Sequence, residues 1–358
     1  MKYKRSTQDR IWSEIIRRAV EVNCPVECGF ELTSRCNFNC RMCYVHTKNC
    51  KEIIDQELST AQWKDIFDQA INAGMQYALL TGGECILRSD FKELYLYLYN
   101  KGIFVSVNSN ASMFSEEHLD FFKQYPPHNI QITLYGTDDE VYSHVTGVPA
   151  FSRVSAAIDR LLSLGIHSTL VFTICKYNYK DLPGLFAFAS ERELQYKASF
   201  DLIAPRSEKT DDYSLSLDEY IEVYRILHQC TSERPLEKRM DSEVPEPGGS
   251  LNEPKKYVSC KAGRATAFIN WQGIMLPCAS ITDISANVLQ LGYASAWQEI
   301  NQRTVAAVLP EKCNGCAYEQ KCTKCPAVRT GGISKTVCNE DYCLSTKRRY
   351  AEGLIRKL

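Results

Sequence analysis

The sequence predicts an α/β fold: an incomplete parallel barrel of six strand–helix repeats, followed by a smaller cysteine-rich domain. Three observations predict it. Strand-like and helix-like segments alternate from Val26 to Ile203, which favours parallel βαβ units over an antiparallel arrangement. The 17 cysteines are unevenly placed, with three in one early loop and eight between Cys260 and Cys343. A stretch rich in Pro, Gly and charge, 232–256, separates the two regions.

Composition supports a folded chain and narrows its partners. At 358 residues and 44% hydrophobic content there is enough apolar surface for a large domain plus a smaller one. With 42 basic against 43 acidic residues, no charge surplus draws the chain to nucleic acid or to an anionic membrane. The first residues are polar, and no stretch approaches a membrane-spanning apolar run. A soluble, cytoplasmic protein is expected. An odd number of closely spaced cysteines argues against a secreted disulfide framework and for reduced thiols that hold metal.

The elements follow in order. Ile11, Trp12, Ile15, Ile16 and Ala19 recur at helical spacing, so a packing helix is expected in 1–22. Val26 to Leu32 reads as the first strand, ending just before the first cysteine loop, as parallel barrels deliver site residues from strand C-termini. Five more strands are predicted at Tyr77 to Thr81, Ile103 to Asn108, Ile130 to Tyr135, His167 to Ile174 and Ala198 to Ile203, with helices between them and another at Leu217 to Cys230. The aromatic run Phe91 to Tyr99 reads as a helix buried on several sides. Beyond 256, Ala265 to Ile269 and Ile274 to Pro277 flank Asn270-Trp271-Gln272-Gly273, a hairpin signal. The remainder to Cys343 lacks long periodic segments, as expected where metal centres substitute for a hydrophobic core.

The loop Cys36-Asn37-Phe38-Asn39-Cys40-Arg41-Met42-Cys43-Tyr44 carries the first chemistry. Three thiols within eight residues make a three-ligand metal or cluster site lacking its fourth protein ligand, and an open position is where chemistry occurs. On residue types alone a partial zinc site also fits. Thr81-Gly82-Gly83-Glu84 follows the second strand. Glycines let backbone approach a ligand closely, and the carboxylate offers a partner for an ammonium group.

Spaced as CxxxCxxC with an aromatic residue after it, the first loop resembles the signature of the radical S-adenosylmethionine (radical SAM) superfamily. The resemblance implies a TIM-like partial (βα)6 barrel and a [4Fe-4S] cluster held by Cys36, Cys40 and Cys43. S-adenosylmethionine would chelate the fourth iron and, on reductive cleavage, yield a 5′-deoxyadenosyl radical that abstracts a substrate hydrogen. The same resemblance assigns Tyr44, Gly82, Gly83, Glu84, Ser109, Thr133 and Val171 to the cofactor, Ser109 and Thr133 ranking first among the strand-end positions Asn108 to Asn110, Thr133 and Val171 to Thr173. Cys85 stands where many members carry proline.

The later cysteines sharpen the subclass. Cys260, Gly273 and Cys278, then Cys313-x2-Cys316-x5-Cys322-x2-Cys325 and Cys343, resemble the SPASM domain of enzymes acting mainly on peptides and proteins. That implies two auxiliary [4Fe-4S] clusters, three in all: an outer one on Cys313, Cys316, Cys322 and Cys343, and an inner one on Cys260, Cys278 and Cys325. Two residues rather than the usual three separate Cys322 from Cys325, and the inner cluster lacks an obvious fourth cysteine. Cys338 is a candidate for that ligand, or for a hydrogen donor to a substrate radical. Cys24, Cys28, Cys50, Cys85, Cys175 and Cys230 read as small, mostly buried residues. The six histidines show no ligand spacing.

The expected organisation is helix 1–22, radical SAM barrel 23–231, linker 232–256, SPASM domain 257–348 and tail 349–358. The expected function is modification of a ribosomally synthesised peptide by crosslinking, oxidation or epimerisation, served by an external one-electron reductant. Only about 25 residues precede the first strand, where many relatives carry a leader-binding domain. Either a separate leader-binding protein or a small-molecule substrate is therefore expected. A small-molecule dehydrogenase or epimerase, a sulfatase maturase and a non-catalytic zinc protein are the alternatives.

Overall fold

The computed structural model describes residues 7–45, 51–202, 212–231, 258, 260–313, 316–318, 322, 325–334 and 338–354. The expected linker, Cys50, His46 and the last four residues lie outside them. Helix α1 (Thr7–Val22) leads into β1 (Glu27–Glu31), α2 (Lys51–Ile54) and α3 (Thr60–Asn72). Next come β2 (Tyr77–Thr81), α4 (Phe91–Asn100), β3 (Phe104–Ser109), α5 (Glu116–Gln124) and β4 (Asn129–Leu134). After α6 (Asp139–Thr146) and α7 (Phe151–Ser163) follow β5 (Ser168–Thr173), α8 (Leu182–Glu191), β6 (Gln195–Ser199) and α9 (Leu217–Thr231). The C-terminal part holds β7 (Thr266–Ile269), β8 (Ile274–Leu276), β9 (Ala286–Asn287), α10 (Val288–Leu291), α11 (Tyr293–Val305), α12 (Pro326–Arg329) and α13 (Glu340–Ala351).

Strands β1 to β6 lie side by side in chain order and pair in parallel, forming the open barrel the alternation implies. Alternate residues divide the sheet. Phe30 packs against Trp63 and Phe67 of α3, with ring centroids 6.1 and 4.8 Å away, while half-buried Gln131 and Thr133 take the opposite face of β4. Helix α3 starts on a complete capping box: Ser59 accepts from the Gln62 backbone, and the Gln62 side chain returns to Ser59.

Strand β7 pairs in parallel with β1, Glu27 opposite Thr266, so β7–β9 extend the barrel sheet to nine strands. The expected boundary at 257 therefore does not divide two sheets. All five residues of β1 are buried, and buried backbone on its second edge needs hydrogen-bond partners that β7 supplies.

Three further differences have local causes. The sixth strand lies at 195–199, not Ala198 to Ile203; as an edge strand it carries few apolar residues, and the apolar run that suggested it ends in Phe200, which packs on Tyr220 and Tyr224. Helices α11 and α13 occupy the region expected to lack long elements. Tyr293 at the start of α11 donates its N–H to Gln69 at 2.8 Å, and Trp297 donates to the Asn23 carbonyl at 3.1 Å, so this helix is fixed by tertiary contacts that local periodicity does not encode. Helix α13 runs through the expected 348/349 boundary because Arg349 is buried, its guanidinium 4.4 Å from the Tyr224 ring centroid.

Candidate functional site

The loop that begins the site is tied to the second strand before it reaches the first cysteine. Gly83 N–H donates to the Thr33 carbonyl at 2.9 Å and Glu84 N–H to the Arg35 carbonyl at 2.8 Å. The approach is close enough to require glycine: a Cβ on Gly82 would lie 2.4 Å from the Thr33 oxygen, and one on Gly83 2.3 Å from the Arg35 oxygen. Arg35 forms a bidentate pair with Glu57 at 2.9 Å on both arms. Buried Arg88 holds the carbonyls of Leu32 and Leu58 at 3.1 and 3.0 Å. The ion pairs are nearly dry, so they fix geometry more than they stabilise.

From there the backbone turns onto α6, a helix absent from the sequence-based expectation. Asn39 N–H donates to the Thr146 carbonyl at 2.9 Å and Arg41 N–H to Val145 at 3.0 Å. Helix-end carbonyls without helical partners thereby position the cysteine loop. Cys36 accepts from Phe38 N–H at 3.4 Å and from Asn110 Nδ2 at 3.8 Å. Burial, aided by neighbouring Glu84 and Cys43, pushes its thiol up to about 12. Tyr135 extends from the end of β4 to hydrogen-bond Cys40, with Cys36 and Cys43 nearby. Thiolate ligation must displace these protons.

Glu84 is fully buried beside the loop. Its carboxylate accepts from Ser109 Oγ at 3.0 Å on both oxygens and from the Asn110 backbone N–H at 2.8 Å. Desolvation outweighs these bonds and lifts it to about 7. Ser109 thus supports Glu84, its Oγ donating to that carboxylate and receiving Ala111 N–H at 2.9 Å. Neighbouring Asn108 has a buried Oδ1 with no hydrogen-bond partner, and Cys85 donates to the Asn108 carbonyl at 3.4 Å. Thr133 and Val171 are opposite one another in register, and Val171 faces Lys197 across β6. Tyr44, Thr133 and Val171 are all half-buried. Asn110 and Tyr135 contact the cysteine loop and, with Asn108, are candidate site positions beyond those that ranked first in the sequence. Their signal was the polar strand end, which turns also produce.

The C-terminal cysteines form two groups. Cys260, Cys278 and Cys325 neighbour one another electrostatically, and burial pushes Cys278 up to about 12. Cys313, Cys316, Cys322, Cys338 and Cys343 line one cavity of about 420 Å³. Cys338, the candidate for the inner group's fourth ligand, thus lines the cavity of the outer group. Asn339 N–H donates to the Arg329 carbonyl at 2.8 Å, which draws Cys338 to the start of α13, near Cys343. Thr346 Oγ1 contacts Cys322 Sγ at 3.8 Å. Among the described residues no three ligand side chains surround one single-ion position. A cubane gives each thiolate its own iron, so it requires no such convergence. Soft thiols in loops, with a buried Asn108 oxygen that meets no partner among the described residues, fit a cluster and a polar cofactor. Cys28, Cys85 and Cys175 are buried, and Cys24 and Cys230 half-buried.

Comparison with known proteins agrees with this geometry. The Radical SAM superfamily profile matches residues 30–189. The chain is 21% identical over 342 residues to the AdoMet-dependent heme synthase of Methanosarcina barkeri, covering 90% of this chain and 97% of that one. It is 24% identical over 335 residues to the PqqA peptide cyclase of Xanthomonas campestris, covering 87% and 85%. Among solved structures, anSMEcpe with bound AdoMet superposes with a TM-score of 0.69 at 16% identity, covering 92% and 97%. SuiB of Streptococcus suis bound to S-adenosylmethionine superposes with a TM-score of 0.65 at 16% identity, covering 84% and 72%. The cysteine loop and the glycine–glutamate turn docked on it both lie within the matched stretch, and residues 30–189 of this chain are a radical SAM superfamily domain.

Proposed function

We propose that this protein is a radical SAM oxidoreductase that modifies a ribosomally synthesised peptide. The observation that carries the reading is the pairing of one three-cysteine loop, joined to Glu84 through Asn110, with two separate cysteine groups in the C-terminal region. Cys36, Cys40 and Cys43 would hold the cluster to which S-adenosylmethionine binds. Cys313, Cys316, Cys322 and Cys343 would hold an outer auxiliary cluster, and Cys260, Cys278 and Cys325 an inner one. When bound, cofactor and cluster supply a hydrogen-abstracting radical.

The chain's own residues do the placing. Gly82 and Gly83 would bring backbone against the cofactor's methionine end, Glu84 would take its charge, and Ser109, Thr133, Val171 and Tyr44 would line the remainder. Buried apolar β-strands on the helix side keep the barrel rigid, so a substrate C–H bond can be held at a fixed distance. Relatives support a peptide: PqqA peptide cyclase acts on a peptide by name, and SuiB has been solved with the precursor peptide SuiA. A second reading, a tetrapyrrole or other small-molecule substrate, draws on the heme synthase and Fe-coproporphyrin III synthase of M. barkeri, each matching 90% of this chain.

Anaerobically reconstituted, reduced protein incubated with S-adenosylmethionine is expected to form 5′-deoxyadenosine. A peptide encoded beside its gene is expected to change mass in that mixture. Turnover of an iron porphyrin precursor with no peptide change would favour the second reading. A colourless, iron-free protein after reconstitution would reject both and favour zinc.

A further inference from the structure

Arg329 ends α12, four residues after Cys325, and is 2% exposed. Its backbone links the two cysteine groups: its N–H donates to the Cys325 carbonyl at 2.9 Å, and its carbonyl accepts from Asn339, beside Cys338, at 2.8 Å. Its side chain lines the five-cysteine cavity together with Cys313 and Cys338. The other cations on that lining, Lys312 and Lys347, differ in placement. Lys312 is 72% exposed and pairs with the exposed Glu340 at 3.7 Å, and Lys347 is exposed on α13. Among the described lining residues Arg329 is the buried cation.

A [4Fe-4S] cluster with four thiolates carries two net negative charges, and three after taking up one electron. Burying that charge without a countercharge is costly. A fixed guanidinium in a dry site stabilises the reduced form more than the oxidised one, because the attraction grows with the cluster's charge. We propose that Arg329 is a positioning residue for the outer cluster, whose guanidinium retains the cluster and holds its reduction potential up. This rests on the reading that Cys313, Cys316, Cys322 and Cys343 hold a [4Fe-4S] cluster. Arg264 is the natural control. It is buried next to the inner group's Cys260, with an Nε that has no hydrogen-bond partner among the described residues, so it should leave the outer couple alone.

The test uses full-length, anaerobically reconstituted protein, its iron and sulfide content, and redox titrations with mediator dyes monitored by electron paramagnetic resonance. Cys343→Ala identifies the outer couple by the signal it removes. Arg329→Lys is expected to keep the outer iron and its potential. Arg329→Met is expected to lower that potential by about 59 mV or more, one decade in the one-electron equilibrium, or to release the outer iron. Arg264→Met is expected to leave the outer couple unmoved. An Arg329→Met protein with parental iron and parental potential overturns the proposal. So does an Arg329→Lys protein that loses fold, iron or potential as Arg329→Met does, since packing rather than charge would then be at work. An equal shift in Arg264→Met overturns it as well. If Cys343→Ala changes neither iron content nor any signal, the cluster assignment itself falls and the proposal with it.

Discussion

Asn110 Nδ2 reaches Cys36 Sγ at 3.8 Å across 74 residues of sequence. The same residue gives its backbone N–H to Glu84 at 2.8 Å and its side-chain amide to Asn37 at 2.9 Å. One residue, through its backbone and its side chain, thus links the thiol loop to the glycine–glutamate turn. Supporting groups of this kind typically cost about 10–100-fold when removed. Asn110→Ala is expected to lower 5′-deoxyadenosine formation by roughly that factor, with the melting temperature little changed. Parental turnover in this variant would show that the loop holds its own shape.

Replacing Cys36, Cys40 and Cys43 together with alanine is expected to abolish S-adenosylmethionine cleavage while leaving the iron of the C-terminal groups. Iron analysis and chromatography of the nucleoside product check it. The C-terminal cysteines lie outside the first loop: Cys260 precedes β7, Cys278 follows β8, Cys325 precedes α12 and Cys343 is on α13. Loss of all iron would mean that the clusters are distributed differently.

Glu84 gives the unloaded protein a pH dependence. Its carboxyl titrates near 7 in the folded chain, against 4.5 for an ordinary glutamate. Between those values the folded state holds a proton that the unfolded state has lost, so stability falls as pH rises. The contribution is complete below about 4.5 and gone above about 7, and amounts to about 3 kcal/mol. Urea titrations of the metal-free protein should show this decline, and Glu84→Gln should flatten it.

Gly83→Ala tests the docking of the two loops. The added Cβ meets the backbone oxygen of Arg35 at 2.3 Å, and backbone cannot step aside as a side chain tip can. A destabilisation of about 3 kcal/mol is expected, read as a lower melting temperature and weaker cluster retention. At Gly102, where a Cβ would meet nothing within 4 Å, the positive φ of 78° leaves strain as the sole penalty, so Gly102→Ala should cost less.

The alternation of strands and helices was legible because each strand buries one full face and each helix one stripe. Strand β2 falls where the pattern puts it, and the hairpin around Asn270 to Gly273 forms as expected, with Asn270 Oδ1 accepting from Gln272 and Ile274. The spacing of the cysteines marked the groups that the structure keeps together, the early loop and the cysteines around one C-terminal cavity. What escaped depends on distant partners. Cys338 reads as a candidate for the inner group, and only the fold shows that it lines the outer group's cavity, while the bonds from Ser109 Oγ to both Glu84 oxygens leave no trace in the sequence. Helix α6 escaped because it is short and amphipathic, and its importance lies in two carbonyls at its end.

The pairing of β1 with β7 also governs how the protein is made. Partners Glu27 and Thr266 are separated by about 240 residues, and a ribosome adding about 5–20 residues per second needs at least about 12 s to bridge them. Until then the nascent barrel has one unsatisfied edge at the strand that carries the first cysteine loop. Closure of such a long loop is also slow in its own right. Nascent β1 is therefore the part of this chain most exposed to mispairing, and the window for inserting a cluster behind it stays open until the C-terminal hairpin arrives.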